Sequence, residues 1–437
     1  MKLPARQRFT TSTGLEVIAA RRGPLPLVSL RLVIRAGGAF DPPGRFGLAD
    51  FTARLLRRGT KTRTAKEIDE AVEFVGGSLA TAAYEDYLTV SVSAPSDYLA
   101  EMLEVMAQLV REPSFPKAEV ASAKTRVLAQ IANELDDPSS LAERAFVSAF
   151  WGAHPYGHEL VGRARDVRRF TRADLVAFHR ERVGPRVSTL VVVGDVEPRT
   201  VFAATERAFR GWKGGPATAP VVLPFGRPAS EGQVVVVDKP EQTQTQVRIG
   251  ARGVRRGHPD YFPIVAFNTA LGGSFTSRLV REVRVKRGLS YGIGSHFDAL
   301  ASGGAYSVST FTKTENTRKI LDVALAELAK MRASGPTAAE LATAKSYVNG
   351  LYPARVETNE GLSHALAELS VYQLAPDFIE TFRERLGAVT RAEAAAAAAV
   401  RLEIDRPLIV LVGNAAQVKP LAKGLGTLTV KTVADLE

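Results

Sequence analysis

The segment FTSRLVREVRVKRGLSYGIGSHF (275–297) sets Arg284 and Tyr291 seven residues apart. Leu279 and Val283 stand four apart, a spacing that predicts a helix over 275–286. Gly288 then serves as a left-handed cap, and 289–297 leaves it as a strand. Arg284 would stand near a helix end and Tyr291 near a strand start, a corner that can aim a guanidinium and a phenol at one place. Both residue types are common on surfaces, so the spacing alone names no reaction. Just upstream, Gly272-Gly273-Ser274 either brings backbone N–H groups close to a ligand or makes a tight turn into a helix.

Other chemistries find few residues. The six histidines, His154, His158, His179, His258, His296 and His364, form neither H-E-x-x-H nor H-x-x-E-H. His154 and His158 have a metal-like spacing, but Pro155 and Gly157 between them argue for a loop with packed or solvated imidazoles. Cysteine is absent, which excludes disulfides and thiolate catalysis. There is neither a phosphate-binding G-x-x-x-x-G-K-[ST] loop nor a G-x-S-x-G elbow. The arginine-rich stretch 162–186 is interspersed with Asp166, Asp174 and Glu181 and has few aromatics for base stacking. It reads as a solvated helical face with local ion pairs, and no nucleic-acid partner is expected.

The elements that would position these residues come in two similar sets. Thr171-Arg172-Ala173-Asp174 opens a helix leading to the strand ending at Gly194, and Thr390-Arg391-Ala392-Glu393 opens another leading to Gly413, with both landmarks 219 residues apart. Ala118-Glu119 matches Ala339-Glu340, Leu103 matches Leu321, and Ile34 matches Ile249, in the same order at nearly the same offset. Such a series marks two homologous halves, each of ordinary domain size. The expected domains are 1–213 and 233–437, joined by the Pro-, Gly- and Ala-rich linker 214–232.

Alternation predicts half-buried strands over 28–34, 89–93 and 306–309, and 233–238 and 244–250 read as strands too. Residues 98–109 and 118–135 have helical periodicity. The alanine run 393–400 predicts a helix packed closely on a neighbour. Strands and helices come in groups, so the expected class is α+β: two tandem domains, each a mostly antiparallel sheet with helices packed on one face.

Composition sets the outer bounds. Of 437 residues, 45% are hydrophobic and 24% charged, enough apolar surface to exclude disorder as the main state. The net charge of +11 favours acidic partners without naming one. No apolar stretch reaches the roughly 18 residues of a membrane span. The first residues, MKLPARQRFTTSTGLEV, lack the apolar run of a secretory signal. A cytoplasmic location is expected, or a periplasmic one if a signal peptide was removed.

Several stretches together resemble the pitrilysin-like metallopeptidases, the family of insulinases, mitochondrial processing peptidases and short bacterial relatives. They are RAGGAFDPPGRFGLADFTARLLRRGT, LDDPSSLAERAFVSAFWGAHPYGHELVG, VVGDVEP, DKPEQTQTQVRIG and LGGSFTSRLVREVRVKRGLSYG. The resemblance covers nearly the whole chain and implies two tandem α+β domains of like fold.

It also exposes a departure. Active members carry H-x-x-E-H after Gly-Leu and a further Glu ligand 76 positions on. Here those positions are Asp50, Ala53 and Arg54, and the distal one is Gln130. Zinc needs three protein ligands and an open water position, so no metal or cofactor is expected on this chain. The family's Arg and Tyr, which hydrogen-bond the substrate carbonyl, do have counterparts: the candidate catalytic residues Arg284 and Tyr291.

The resemblance therefore implies a non-zinc subunit of a heterodimeric zinc peptidase that degrades peptides in a closed chamber. A homologous partner with an intact motif would carry the zinc. This chain alone would hydrolyse no peptide, and metalloendopeptidase activity would require the partner. The alternatives are a structural scaffold subunit of the same fold, or a homodimeric peptide-binding pseudoenzyme.

Overall fold

The computed structural model describes residues 3–218, 221–226, 228 and 230–437. Of the expected linker 214–232, residues 219, 220, 227 and 229 lie outside the described residues. Among the described residues twelve strands form two six-stranded sheets. The first holds β1 (Arg6–Thr10), β2 (Glu16–Arg21), β3 (Leu27–Ile34), β4 (Ser78–Ala83), β5 (Leu88–Pro95) and β6 (Ser188–Gly194), in the order β1-β2-β6-β3-β5-β4. The second holds β7 (Gln233–Asp238), β8 (Gln244–Arg252), β9 (Ile293–Ala299), β10 (Gly304–Lys313), β11 (Leu408–Gly413) and β12 (Thr427–Lys431), in the order β12-β7-β11-β8-β10-β9.

Five strands correspond one to one, β2 with β7 through β6 with β11. The sixth differs: β1 joins its sheet antiparallel from the N-terminal side, whereas β12 joins parallel from the C-terminal end. Pairing is otherwise antiparallel except at β2–β6 and β7–β11. The chain is thus α+β with two mostly antiparallel sheets.

Local chemistry explains the helices that the repeat located. Thr171 and Thr390 each accept from the backbone N–H three residues on, while Asp174 and Glu393 reach back to the Thr N–H. These reciprocal caps start the helices Arg172–Arg182 and Arg391–Arg401, as the spacing predicts. In the second helix Ala394, Ala397 and Ala398 are buried, and the helix packs on Thr317–Ser334 and Tyr261–Asn268. The alanines permit that close approach.

The compact units do not simply follow the chain halves. One comprises Met1–Gln130, Glu159–Val222 and Pro353–Glu380; the other comprises Ile131–His158, Leu223–Tyr352 and Thr381–Glu437. In the first, the helix Asn359–Val371 lies across β3 and β6. In the second, the helix Pro138–Trp151 lies across β7, β8 and β11. Each sheet is therefore capped by a helix from the other half of the sequence.

This exchange corrects the expectation of a half-buried strand over 28–34. Ser29 and Arg31, which alternate with Leu30 and Leu32, are buried too. Ser29 Oγ lies 3.1 Å from Ser363 Oγ, and Arg31 Nε donates to Ser363 Oγ at 3.4 Å. Arg248 on β8 repeats the device. Its guanidinium donates to Glu143 Oε2 at 3.1 Å and to the Ser139 carbonyl at 3.0 Å, both on the covering helix. Polar side chains that would cost free energy if buried alone are satisfied by the helix that buries them.

The covering helix of the second unit comes so close that β8 needs glycine. A Cβ on Gly250 would sit 2.7 Å from Cζ of Phe146. Gly250→Ala is expected to lower stability by about 1–3 kcal/mol through overpacking. Phe146→Ala, which empties the same contact, is expected to cost roughly 3–5 kcal/mol. Urea unfolding of the two variants checks both.

Candidate functional site

Arg284 lies in a turn that departs from the expected helix. Helical winding begins at Arg278, and Val280–Val285 is π-helical, with Lys286 N–H donating to the Arg281 carbonyl at 2.9 Å. Gly288 has φ +59° and is the expected left-handed cap. The following strand starts later than 289, at Ile293. The intervening residues are held by side chains instead of a ladder. Ser290 Oγ accepts from Gly292 N–H at 3.1 Å, Thr312 Oγ1 donates to the Leu289 carbonyl at 2.6 Å, and Thr310 Oγ1 donates to the Gly292 carbonyl at 2.8 Å. Tyr291 therefore sits at a turn, 77% exposed.

The two candidates come together. The Arg284 guanidinium carbon is 4.5 Å from the centroid of the Tyr291 ring and 4.7 Å from that of Phe275. Phe275 was not singled out by sequence. It is 70% exposed and lies nine residues before Arg284, a spacing with no helical or strand meaning once the chain turns at 274–277.

The neighbouring cations are all neutralised. Arg278 donates to Glu340 at 3.0 and 2.6 Å, a fork on one carboxylate. Arg281 reaches Glu282 and Glu340. Lys286 and Arg287 each donate to Glu282 at 2.7 Å. Those two hydrogen bonds hold the Glu282 carboxyl at a pKa of about 2. Glu340 is pushed up by burial, but hydrogen bonds from Arg278 and Thr337 prevail and bring it to about 2. Arg284 alone in this series has aromatic faces in place of a carboxylate; among the described residues its guanidinium has no hydrogen-bond or ion-pair partner.

Behind Arg284 opens a cavity of about 630 Å³, lined in part by Phe275, Arg284, Tyr291, Ser295, His296 and Tyr347. Gly272 and Gly273 form one wall. A Cβ on Gly272 would lie 2.7 Å from the Ser295 backbone N, so glycine here permits close approach to β9.

The positions at which the resemblance expects a zinc motif lie in the other unit. Asp50 and Arg54 face each other one turn apart on the helix Leu48–Leu56, with Arg54 Nε donating to Asp50 Oδ2 at 2.6 Å. Ala53 supplies only a methyl group between them. One carboxylate already bound to a guanidinium does not fit zinc, which wants three donors. Among the described residues no three His, Cys, Asp or Glu side chains form a metal-holding group. The helix itself is anchored by Asp41, whose carboxylate accepts from Gly47 and Ala49 N–H at 2.6 and 2.7 Å. Burial pushes the Asp41 carboxyl well above its ordinary range.

The remaining candidates are occupied locally. His154 Nε2 bonds the Leu223 carbonyl at 2.9 Å, and its ring stacks on Trp151. In the arginine-rich stretch, Arg172 donates to the Ser114 and Phe115 carbonyls, Arg163 lies over Phe46, and Asp174 pairs with Arg45.

Residues 16–164 match the family model described as Insulinase (Peptidase family M16), and residues 169–348 match the one described as Peptidase M16 inactive domain. The chain belongs to peptidase family M16. Among curated M16 relatives, an uncharacterized zinc protease of Mycobacterium leprae is 28% identical over 344 residues, 78% of this chain and 77% of the relative. The uncharacterized zinc protease YmxG of Bacillus subtilis is 22% identical over 369 residues, 82% of this chain and 86% of the relative.

A crystal structure of a peptidase M16 inactive domain from Pseudomonas fluorescens aligns with TM-score 0.88 and 27% identity, covering 94% of this chain and 98% of that one. A protease from Helicobacter pylori shares the fold, with TM-score 0.86 at 20% identity over 94% of this chain and 100% of that one. Within M16 the chain is related to zinc proteases. No helix among the described residues is long and apolar enough to cross a membrane.

The Arg278–Glu340 fork pins the turn that carries Arg284 to the helix Ala338–Leu351. Both side chains are largely buried, so Arg278→Ala is expected to cost about 3–5 kcal/mol. Because the Glu340 pKa is depressed from 4.5 to about 2, its stabilisation is complete above pH 4.5 and is lost as pH falls through about 2. Melting temperatures measured across that window should fall less steeply for Glu340→Gln than for the parent chain.

Proposed function

We propose that this chain is the non-zinc subunit of a two-chain M16 peptidase. The observation that carries the reading is the Arg284 guanidinium, in contact with the faces of Phe275 and Tyr291 and with no counter-ion among the described residues, beside an open cavity. A guanidinium in that state can donate to a peptide carbonyl without first breaking an ion pair. The Tyr291 hydroxyl, on an exposed ring 4.5 Å from that guanidinium, offers a second donor. Donors aimed at an oxygen whose charge grows during attack stabilise it most in the transition state.

The Asp50–Arg54 pair supports the division of labour. This chain has no water-activating residue at the motif position, so a homologous subunit with the intact motif would carry the zinc and the base. The relatives named as zinc proteases support a peptide as the substrate class. Closure of the two subunits into a chamber around the peptide is part of the same reading.

The test is reconstitution. The purified chain and a purified zinc-motif M16 partner, each inactive on a quenched fluorescent peptide, should hydrolyse it when mixed. Arg284→Ala or Tyr291→Phe in this chain should lower the rate of the mixture by about 10²–10³. Full activity of the partner alone would overturn the proposal.

A further inference from the structure

The cavity behind Arg284 is asymmetric in its chemistry. Its polar inner wall is already satisfied: Ser295 Oγ donates to Asn268 Oδ1 at 2.7 Å, and Asn268 Nδ2 donates to the Ser295 carbonyl at 3.1 Å. Around that pair the lining is largely apolar and aromatic, including Ile264, Phe297 and Tyr347. Two lining residues can carry charge, Arg284 and His296, and no carboxylate side chain lines the cavity among the described residues. The His296 ring lies 3.2 Å from Asp298, which holds its pKa above the ordinary value. The volume, about 630 Å³, lies in the range that takes a sizeable organic group. The site therefore offers an unpaired planar guanidinium at its rim and an apolar interior.

We propose that this cavity receives the free C-terminal residue of a peptide, with the α-carboxylate on the Arg284 guanidinium and a large apolar side chain in the slot. Charge complementarity selects the carboxylate. A guanidinium with all its N–H donors available binds a carboxylate through two parallel hydrogen bonds, a stronger grip than a neutral carbonyl allows. The inference rests on the reading that Arg284 holds the substrate carbonyl, and it extends that reading to the product. Hydrolysis adds the water oxygen to that carbonyl carbon, breaks the C–N bond and passes both water protons to the departing amine, which leaves as an ammonium group. The N-terminal fragment then carries a carboxylate where the substrate carried its carbonyl. Arg284 would hold this fragment more tightly than the substrate, and the residue before the cleaved bond would be large and apolar.

The test uses the purified full chain without a partner. Fluorescence polarisation is measured with an N-terminally fluorescein-labelled hexapeptide ending in phenylalanine, as the free acid and as the C-terminal amide, and with its aspartate-ended analogue. The free phenylalanine acid should bind about tenfold or more tightly than the amide and the aspartate-ended peptide. Arg284→Gln should weaken the acid far more than the amide, so that the two bind with similar affinity, and Arg284→Lys should keep part of the preference. Circular dichroism of each variant confirms that it is folded.

Equal binding of acid and amide by the parent chain, absence of binding, or an equal loss for both in Arg284→Gln would overturn the inference. Its failure is separable from that of the two-chain reading. Loss of the acid preference with reconstituted hydrolysis intact removes only this inference. Intact preference without reconstituted hydrolysis removes only the other.

Discussion

A guanidinium near carboxylates will pair with them unless they are already taken. Glu282 and Glu340 both lie on or against the turn that carries Arg284, and both are saturated: Glu282 by Lys286 and Arg287, Glu340 by Arg278 and the Thr337 cap. The local acids are thereby unavailable to Arg284. Phe275 and Tyr291 then hold its planar group by their faces, a contact that leaves the N–H edge open. The open edge is thus a product of how the surrounding charges are distributed. It needs the whole run of basic residues from Arg278 to Arg287, even though one of them meets the cavity.

The backbone serves the same end. A π-helical turn widens the loop at Val280–Val285, and the threonines of β10 take carbonyls of the segment that follows. Tyr291 is thereby kept off the sheet and beside Arg284. In the other unit a similar economy of charge has the opposite result. Asp50 and Arg54 satisfy each other within one helical turn, so the position that would carry metal chemistry in an active relative is electrostatically closed.

Much of this was legible in the sequence because it depends on local rules. Thr171 and Thr390 announce their helices through the acid three residues on, and the alternation around Leu30 and Val308 marks strands. The offset between the two sets of landmarks reveals the duplication. The identities at 50, 53, 54 and 130, together with the pair 284 and 291, emerged from the family resemblance. What escaped was non-local. The burial of Ser29 and Arg31 depends on a helix more than three hundred residues away, and nothing in the apolar pattern of a helix tells which sheet it will cover. The strand start moved from 289 to 293 because side-chain hydroxyls of Ser290, Thr310 and Thr312 displaced ladder bonds. Phe275 escaped because an exposed aromatic has no periodicity to mark it.

The reciprocal helices Pro138–Trp151 and Asn359–Val371 have a consequence for how such a chain can be inherited. Each sheet is completed by a segment encoded in the opposite half, so neither half carries everything its own core requires. Arg31 and Arg248, buried on their central strands, would be stranded without the borrowed helix. Once the duplication had traded these helices, a split gene or a swapped half would have to supply two interdependent cores at once. The two halves are therefore free to diverge in surface chemistry, as the Asp50–Arg54 pair of one and the Arg284–Tyr291 contact of the other illustrate, but not to separate.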